Sequence, residues 1–170
     1  MKKIFIVGIV ASGKTTLAKR LSERINVPWH ELDCIVHHRT ASERFKRTAA
    51  EQVEVIKEID RNGPWILEGT DRESYRQCLF ELADTIIFLD TPLWKRRIRI
   101  LTRFAKQKLG METCHYKPDL NMLRMMYKWT RDFERNRDRM EAELQRYPHK
   151  VIRLADSDCL EFVDKAGVRR

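Results

Sequence analysis

Gly8, Gly13, Lys14 and Thr15 fit the pattern G-x-x-x-x-G-K-[ST] without a gap, within the stretch GIVASGKTT. A loop of this kind can curl closely around an anion. Its glycines keep side chains out of the path, successive backbone N–H groups point inward, and the N-terminus of a following helix adds partial positive charge. The segment from Gly8 through Ala11, Ser12 and Gly13 to Thr16 is therefore expected to hold the phosphates of a nucleoside triphosphate. Lys14 would reach the β and γ phosphates and the Thr15 hydroxyl would sit on Mg²⁺, so ATP and Mg²⁺ are the expected cofactors.

Other residues narrow the class. An N-K-x-D guanine reader does not occur, which argues against a GTPase. An apolar run ends in Asp90, but Thr91 and Pro92 follow where a motor or transporter ATPase usually has Glu. Acidic groups do close several apolar runs, and Arg99 and Arg103 lie four residues apart, on one face of a helix. That combination suits phosphoryl transfer, with arginines closing over the phosphates.

The elements that must position these residues follow from periodicity. The apolar run over 3–8 is continuous rather than alternating, as a parallel strand covered on both faces requires. Further strands are expected at 28–33, 65–68, 85–90 and 150–154. Helical spacing appears at 14–25, 43–61, 72–82, 92–108 and 119–146. Strands alternating with helices give an α/β fold with a parallel sheet. No repeat or Pro/Gly/Ser-rich linker divides residues 1–170, so one domain is expected. In the last helix Met122, Met126, Trp129, Phe133, Met140 and Leu144 form a stripe expected to pack in the core, as is Trp94, with Arg124, Lys128, Arg131, Arg135 and Arg139 on the opposite face. Arg137, about 40° round from Phe133 at helical spacing, is expected to flank that stripe and look into the cleft.

The formal charge of +9 is concentrated in one region. Residues 95–153 hold 17 Lys/Arg against 7 Asp/Glu, a net +10 that leaves the rest of the chain at −1. This suits a polyanionic ligand, which ATP or a nucleic-acid backbone can supply, or a solvated basic helix. No recognition helix or interleaved aromatic module points to nucleic acid, which is the less favoured partner. Cys34, Cys78, Cys114 and Cys159 are widely spaced with no C-x-x-C pair, which fits reduced thiols in the cytoplasm and neither a zinc site nor a disulfide framework. No apolar run approaches the roughly 18 residues that span a bilayer, so no membrane partner is expected.

The stretches KKIFIVGIVASGKTTLAKRL, PWHELD (28–33), WILEGTDR (65–72), ADTIIFLDTPLWKRRIRILTR (83–103) and WTRDFERNRDRM (129–140) together resemble small P-loop nucleoside and nucleotide kinases of the adenylate-kinase-like group. Within that group they are most similar to the bacterial topology modulation (FlaR-like) family. The resemblance implies a five-stranded sheet in the order 2-3-1-4-5 with a short lid over 104–121, centred on Gln107 to Pro118. It implies ATP-dependent phosphorylation of a small acceptor. Asp33 would face the acceptor and orient or deprotonate its hydroxyl, or else cap a helix or turn. Glu68 stands where the family usually has Asp and would hold Mg²⁺ through water. Arg72 matches a phosphate-binding arginine, and Arg99 and Arg103 fall seven and eleven residues after Pro92, the register in which adenylate kinases grip ATP. Asn136 and Arg137 match the family's Asn-Arg pair. Catalysis is thus expected from Lys14, Asp33, Arg99, Arg103 and Arg137. The family name leaves open a regulatory ATP-binding protein that contacts DNA through its basic face.

Overall fold

The structure is a computed structural model that describes residues 2–39, 44–110 and 119–157. Five strands form one parallel sheet: β1 (Lys3–Gly8), β2 (Trp29–Glu31), β5 (Trp65–Gly69), β6 (Thr85–Leu89) and β7 (Val151–Leu154). Their spatial order is β2-β5-β1-β6-β7, which is 2-3-1-4-5 when the sheet strands alone are counted. Two short strands, β3 (His37–Arg39) and β4 (Arg44–Lys46), pair antiparallel as a separate ribbon.

The continuous apolar run of β1 has a direct structural cause. Phe5 and Val7 project to one face and join Trp65, Leu67, Ile86 and Phe88 in a core completed by Ile56, Leu79 and Leu144. Ile4 and Ile6 project to the other face and pack with Leu17 and Leu21. Those leucines belong to α1 (Lys14–Ile25), while Ile56, Leu79 and Leu144 come from α3 (Ala49–Arg61), α4 (Arg76–Leu82) and α7 (Arg137–Gln145). Alternation along a strand thus buries every residue when both faces are covered.

Several expected boundaries move. The second strand ends at Glu31, because Leu32, Ile35 and Val36 are buried at helical spacing and form the short α2 (Leu32–Val36). Asp33 therefore sits in a helix instead of closing a strand. The helix expected from 43 begins only at Ala49, where Thr48 and Glu51 make a reciprocal capping box, and Arg44–Lys46 is strand. The helix expected from 72 starts at Arg76.

The long final helix breaks at Asn136 (φ −103°, ψ 16°) into α6 (Leu120–Arg135) and α7. The Asn136 side-chain amide donates to the Asp132 carbonyl at 2.8 Å, a local bond of the kind that competes with helix continuation. Angular spacing across that break does not place Arg137; its ion pair with Asp90 does. Two aromatics expected in the core are exposed: Trp94 at 60% and Trp129 at 42%. The inner face of α5 (Leu93–Lys108) is taken by Arg96, Ile100 and Gln107, and that of α6 by Met126 and Thr130. Of the expected lid, 104–108 is the end of α5 and 120–121 the start of α6, while 111–118 lies outside the described residues.

Candidate nucleotide-binding site

Parallel strands converge their carboxyl ends on one edge, and ligands of open α/β sheets bind there. Gly8 ends β1, Glu68 lies near the end of β5, Asp90 directly follows β6, and Asp156 lies two residues beyond β7. Between β1 and α1 the loop is built for close approach. Gly13 has φ +101°, and a Cβ there would come 2.9 Å from the Ser157 hydroxyl oxygen. A Cβ on Gly8 would come 2.8 Å from Ser12 Oγ. Ala11 is also left-handed at φ 59°, a strained state for a residue with a side chain.

The start of α1 is electrically open. Gly13, its N-cap, offers no side-chain hydrogen bond, and no acidic residue occupies the first turn, so the helix N-terminus keeps its attraction for an anion. Ser12 Oγ is buried without a hydrogen-bond partner among the described residues. Exposed Thr16 occupies the same first turn. These features fit the phosphates of a nucleotide.

Lys14, Thr15 and Glu68 meet in one cluster. Lys14 Nζ donates to the Ile9 carbonyl at 2.9 Å, so the side chain folds back across its own loop. Burial lowers its pKa, the charges of Glu68 and Asp33 oppose that drop, and Arg103 adds to it. Arg103 lies one turn along α5 from Arg99. The Thr15 hydroxyl donates to Glu68 Oε1 at 2.6 Å. Glu68 is only 5% exposed, and burial raises its pKa against the pull of Lys14 and Thr15. A hydroxyl paired with a buried carboxylate beside a phosphate loop fits Mg²⁺, which keeps several waters and takes few protein oxygens.

Arg99 reaches the same loop from α5. Its Nη1 donates to the Ser12 carbonyl at 3.0 Å and its Nη2 to Asp156 Oδ1 at 2.5 Å. Arg137 pairs with Asp90, which raises the arginine's pKa, and also approaches Glu134 and Glu141. It therefore faces the strand-end edge. Arg96, 2% exposed, pairs with Glu134 of α6 and lies over the Phe133 ring.

Asp33 and Arg72 border this cluster, with the Asp33 charge acting on both Lys14 and Glu68. They form an ion pair at 3.2 Å, with the Asp33 side chain 68% exposed. Arg47 ties the neighbouring ribbon down, donating to the Ile35 carbonyl at 2.8 Å and contacting His38 Nδ1 at 2.8 Å.

Sequence reasoning did not single out Asp156, Thr91 or Ser157. Thr91 Oγ1 donates to the Ser12 carbonyl at 2.9 Å. The signal for Asp156 was its place just after the last strand, the position whose counterpart after β6 is Asp90.

Residues 4–117 match the family of AAA domains designated AAA_18. The chain belongs to that family. Parts of this AAA domain are similar to shikimate kinases: 41% identity over 49 residues to that of Flavobacterium psychrophilum, and 36% over 65 residues to that of Bacteroides thetaiotaomicron. These stretches are 27% and 36% of this chain, and span only 28% and 35% of the curated relatives' lengths. Its fold is similar over 99% of the chain to a shikimate kinase from Acinetobacter baumannii in complex with shikimate, with a TM-score of 0.60, 16% identity and 96% of that chain covered. A gluconokinase from Sinorhizobium meliloti 1021 aligns over 97% of this chain and 89% of its own, with a TM-score of 0.53 and 19% identity. The five-stranded parallel sheet flanked by helices is the architecture of these P-loop kinases.

Proposed function

We propose that this AAA domain transfers the γ-phosphoryl group of Mg·ATP to a hydroxyl of a small-molecule acceptor. The acceptor oxygen forms a bond to phosphorus, the bond from phosphorus to the β–γ bridging oxygen breaks, and ADP leaves. The acceptor proton passes to the Asp33 carboxylate and then to water. Gly8, Ala11, Ser12, Gly13 and Thr16 cradle the phosphates through backbone groups, and Lys14, Arg99, Arg103 and Arg137 offset the charge that develops on the transferred group. Thr15 and Glu68 hold Mg²⁺, which when bound neutralises phosphate oxygens. Arg72, paired with Asp33, fixes that carboxylate and offers a phosphate contact.

One observation carries this reading: Thr15 and the buried Glu68 carboxylate are hydrogen-bonded at 2.6 Å beside Lys14. A mere strand-to-helix turn has no need to bury a carboxylate against a helix N-terminus. The similarity to shikimate kinases and to a gluconokinase favours a hydroxyl acceptor of that general kind, and the resemblance to the topology modulation family is part of the same proposal.

The +10 over residues 95–153 favours a second reading, a regulatory ATP-binding protein that contacts DNA. It is the weaker one, because Arg96 and Arg153 are paired with carboxylates within the chain and the sequence carries no recognition helix or interleaved aromatic module. The test is ADP formation from Mg·ATP across a panel of nucleosides, nucleotides and polyhydroxy acids, shikimate and gluconate included. Acceptor-dependent ADP with a matching phosphorylated product supports the proposal. ADP release indifferent to every acceptor, with DNA affinity falling about 10³-fold or more between 50 and 200 mM salt, contradicts it.

A further inference from the structure

Asp156 gathers donors from three directions. Arg99 Nη2 and the Ser157 backbone N–H donate to Oδ1 at 2.5 and 2.7 Å, and Lys95 Nζ donates to Oδ2 at 3.0 Å. Arg99 in turn binds the Ser12 carbonyl, at the apex of the phosphate loop, through its other terminal nitrogen. The guanidinium is thereby pinned at two points, and these two bonds use only two of its five N–H donors. The segment carrying Asp156 also rests directly on the loop: Ser157 Oγ fills the space a Cβ on Gly13 would need, and Arg20 donates to the Ser157 carbonyl at 3.5 Å.

We infer that Asp156 is a positioning residue for nucleotide binding, which holds Arg99 over the phosphate loop and acts through it. The inference rests on the reading of that loop as the ATP site.

Its physical basis is preorganisation. A free arginine loses rotamer freedom when a ligand immobilises it, and a guanidinium already fixed by a carboxylate and a carbonyl has lost most of that freedom beforehand. Lys95 and Arg99 would also repel one another across α5, and the carboxylate between them lets both cations stay on that side of the helix. Burial alone would raise the Asp156 pKa, but the hydrogen bonds from Arg99, Lys95 and the Ser157 N–H outweigh it and hold the group at about 2. Asp156 therefore keeps its charge throughout the neutral range. It lies 57 residues from Arg99 in sequence and no phosphate-loop pattern includes it.

A double-mutant cycle on the full chain tests this, with Mg²⁺ and a fluorescent ATP analogue as the probe and thermal melts in parallel. In the wild-type background Asp156→Ala should weaken binding by roughly fivefold to tenfold. In the Arg99→Ala background the same change should leave affinity unchanged or tighten it, since a carboxylate with no arginine to hold only repels phosphate. A mere staple of the fold would weaken binding equally in both backgrounds, and that result overturns the inference, as does unchanged or tighter binding by Asp156→Ala when Arg99 is present. Where Asp156→Ala melts too early to titrate, Asp156→Asn removes the charge at constant shape and should show the same dependence on Arg99. If Lys14→Ala binds the probe as tightly as wild type, the ATP-site reading itself fails and the inference falls with it. If Lys14→Ala weakens binding but Asp156 and Arg99 act independently, only the inference fails.

Discussion

At the proposed nucleotide end of the site, Lys14 bonds its own loop, Thr15 pairs with the nearly inaccessible Glu68, and Arg99 joins the loop to Asp156, whose carboxylate is shared among several donors. At the proposed acceptor end, Asp33 and Arg72 share a single 3.2 Å contact, and Asp33 is mostly in water. The first end is organised without a ligand, and the second is held by a more exposed ion pair. A phosphate group is the same in every substrate and can be anticipated by a rigid cradle, whereas on our proposal acceptor recognition would fall to the short helix α2 that carries Asp33.

The sharpest way to break this comparison is to remove one arginine from the organised end. Arg99→Ala or Arg137→Ala should lower kcat by about 10²-fold, roughly 2.7 kcal/mol, the scale of one lost transition-state donor. Arg124→Ala and Arg139→Ala should stay near wild type, since Arg124 is exposed and Arg139 makes a 3.4 Å exposed pair with Glu73. Steady-state kinetics with thermal melts distinguishes the four, and equal small losses in all of them would reduce the arginines to solvated surface.

A smaller and differently shaped effect is expected from Asp33→Ala. With Asp33 at the open end, the nucleotide Kd should stay within about twofold of wild type, while kcat/KM for the acceptor falls by about tenfold or more, the low end for loss of a general base. A large loss of nucleotide affinity would mean that the two ends are one.

Why one end was legible in the sequence and the other was not has a physical explanation. The phosphate loop is local: nine consecutive residues, Gly8 to Thr16, contain its glycines, lysine and hydroxyl, so spacing alone identifies it. The sheet was legible because burial on both faces leaves unbroken apolar runs in β1 and β6. Asp156 was not, because its meaning arises only when β7 is laid beside β6 and α5 crosses above. Asp33 was displaced from strand to helix because the strand read over 28–33 took in Leu32, while the i, i+3, i+4 spacing of Leu32, Ile35 and Val36 that forms α2 went unused. The start of α3 was likewise announced by the capping pair Thr48 and Glu51. Trp129 was misassigned because it was counted in a stripe whose buried positions on α6 are Met126 and Thr130, and Trp94 because the inner face of α5 is filled by Arg96, an arginine that its partner Glu134 allows to be buried.

Acid titration separates the two ends in stability. Asp156 is depressed from its ordinary value to about 2, so its bonds stabilise the fold at neutral pH and are lost as pH falls from about 4 through 2. Melting temperature should therefore drop more steeply over that interval in wild type than in Asp156→Asn. Parallel curves would show that the carboxylate contributes nothing to acid stability.

The smallest expected effect lies away from both ends. Thr48→Ala removes one half of the α3 capping box and should cost about 1 kcal/mol, seen as a melting shift of about 2–4 °C, with kcat unchanged. A fall in kcat would tie α3 to the organisation of the site.

The central claim, that the loop from Gly8 to Thr16 binds the phosphates of ATP through Lys14, is tested most directly by calorimetric titration of Mg·ATP into the wild-type chain and Lys14→Ala. Saturable binding is expected for wild type and a loss of about 10²-fold or more in Lys14→Ala, with the two proteins melting within a few degrees of each other, because a half-buried lysine folded onto its own loop carries no core packing. Equal affinities in two equally folded proteins, or no binding by wild type, would contradict it.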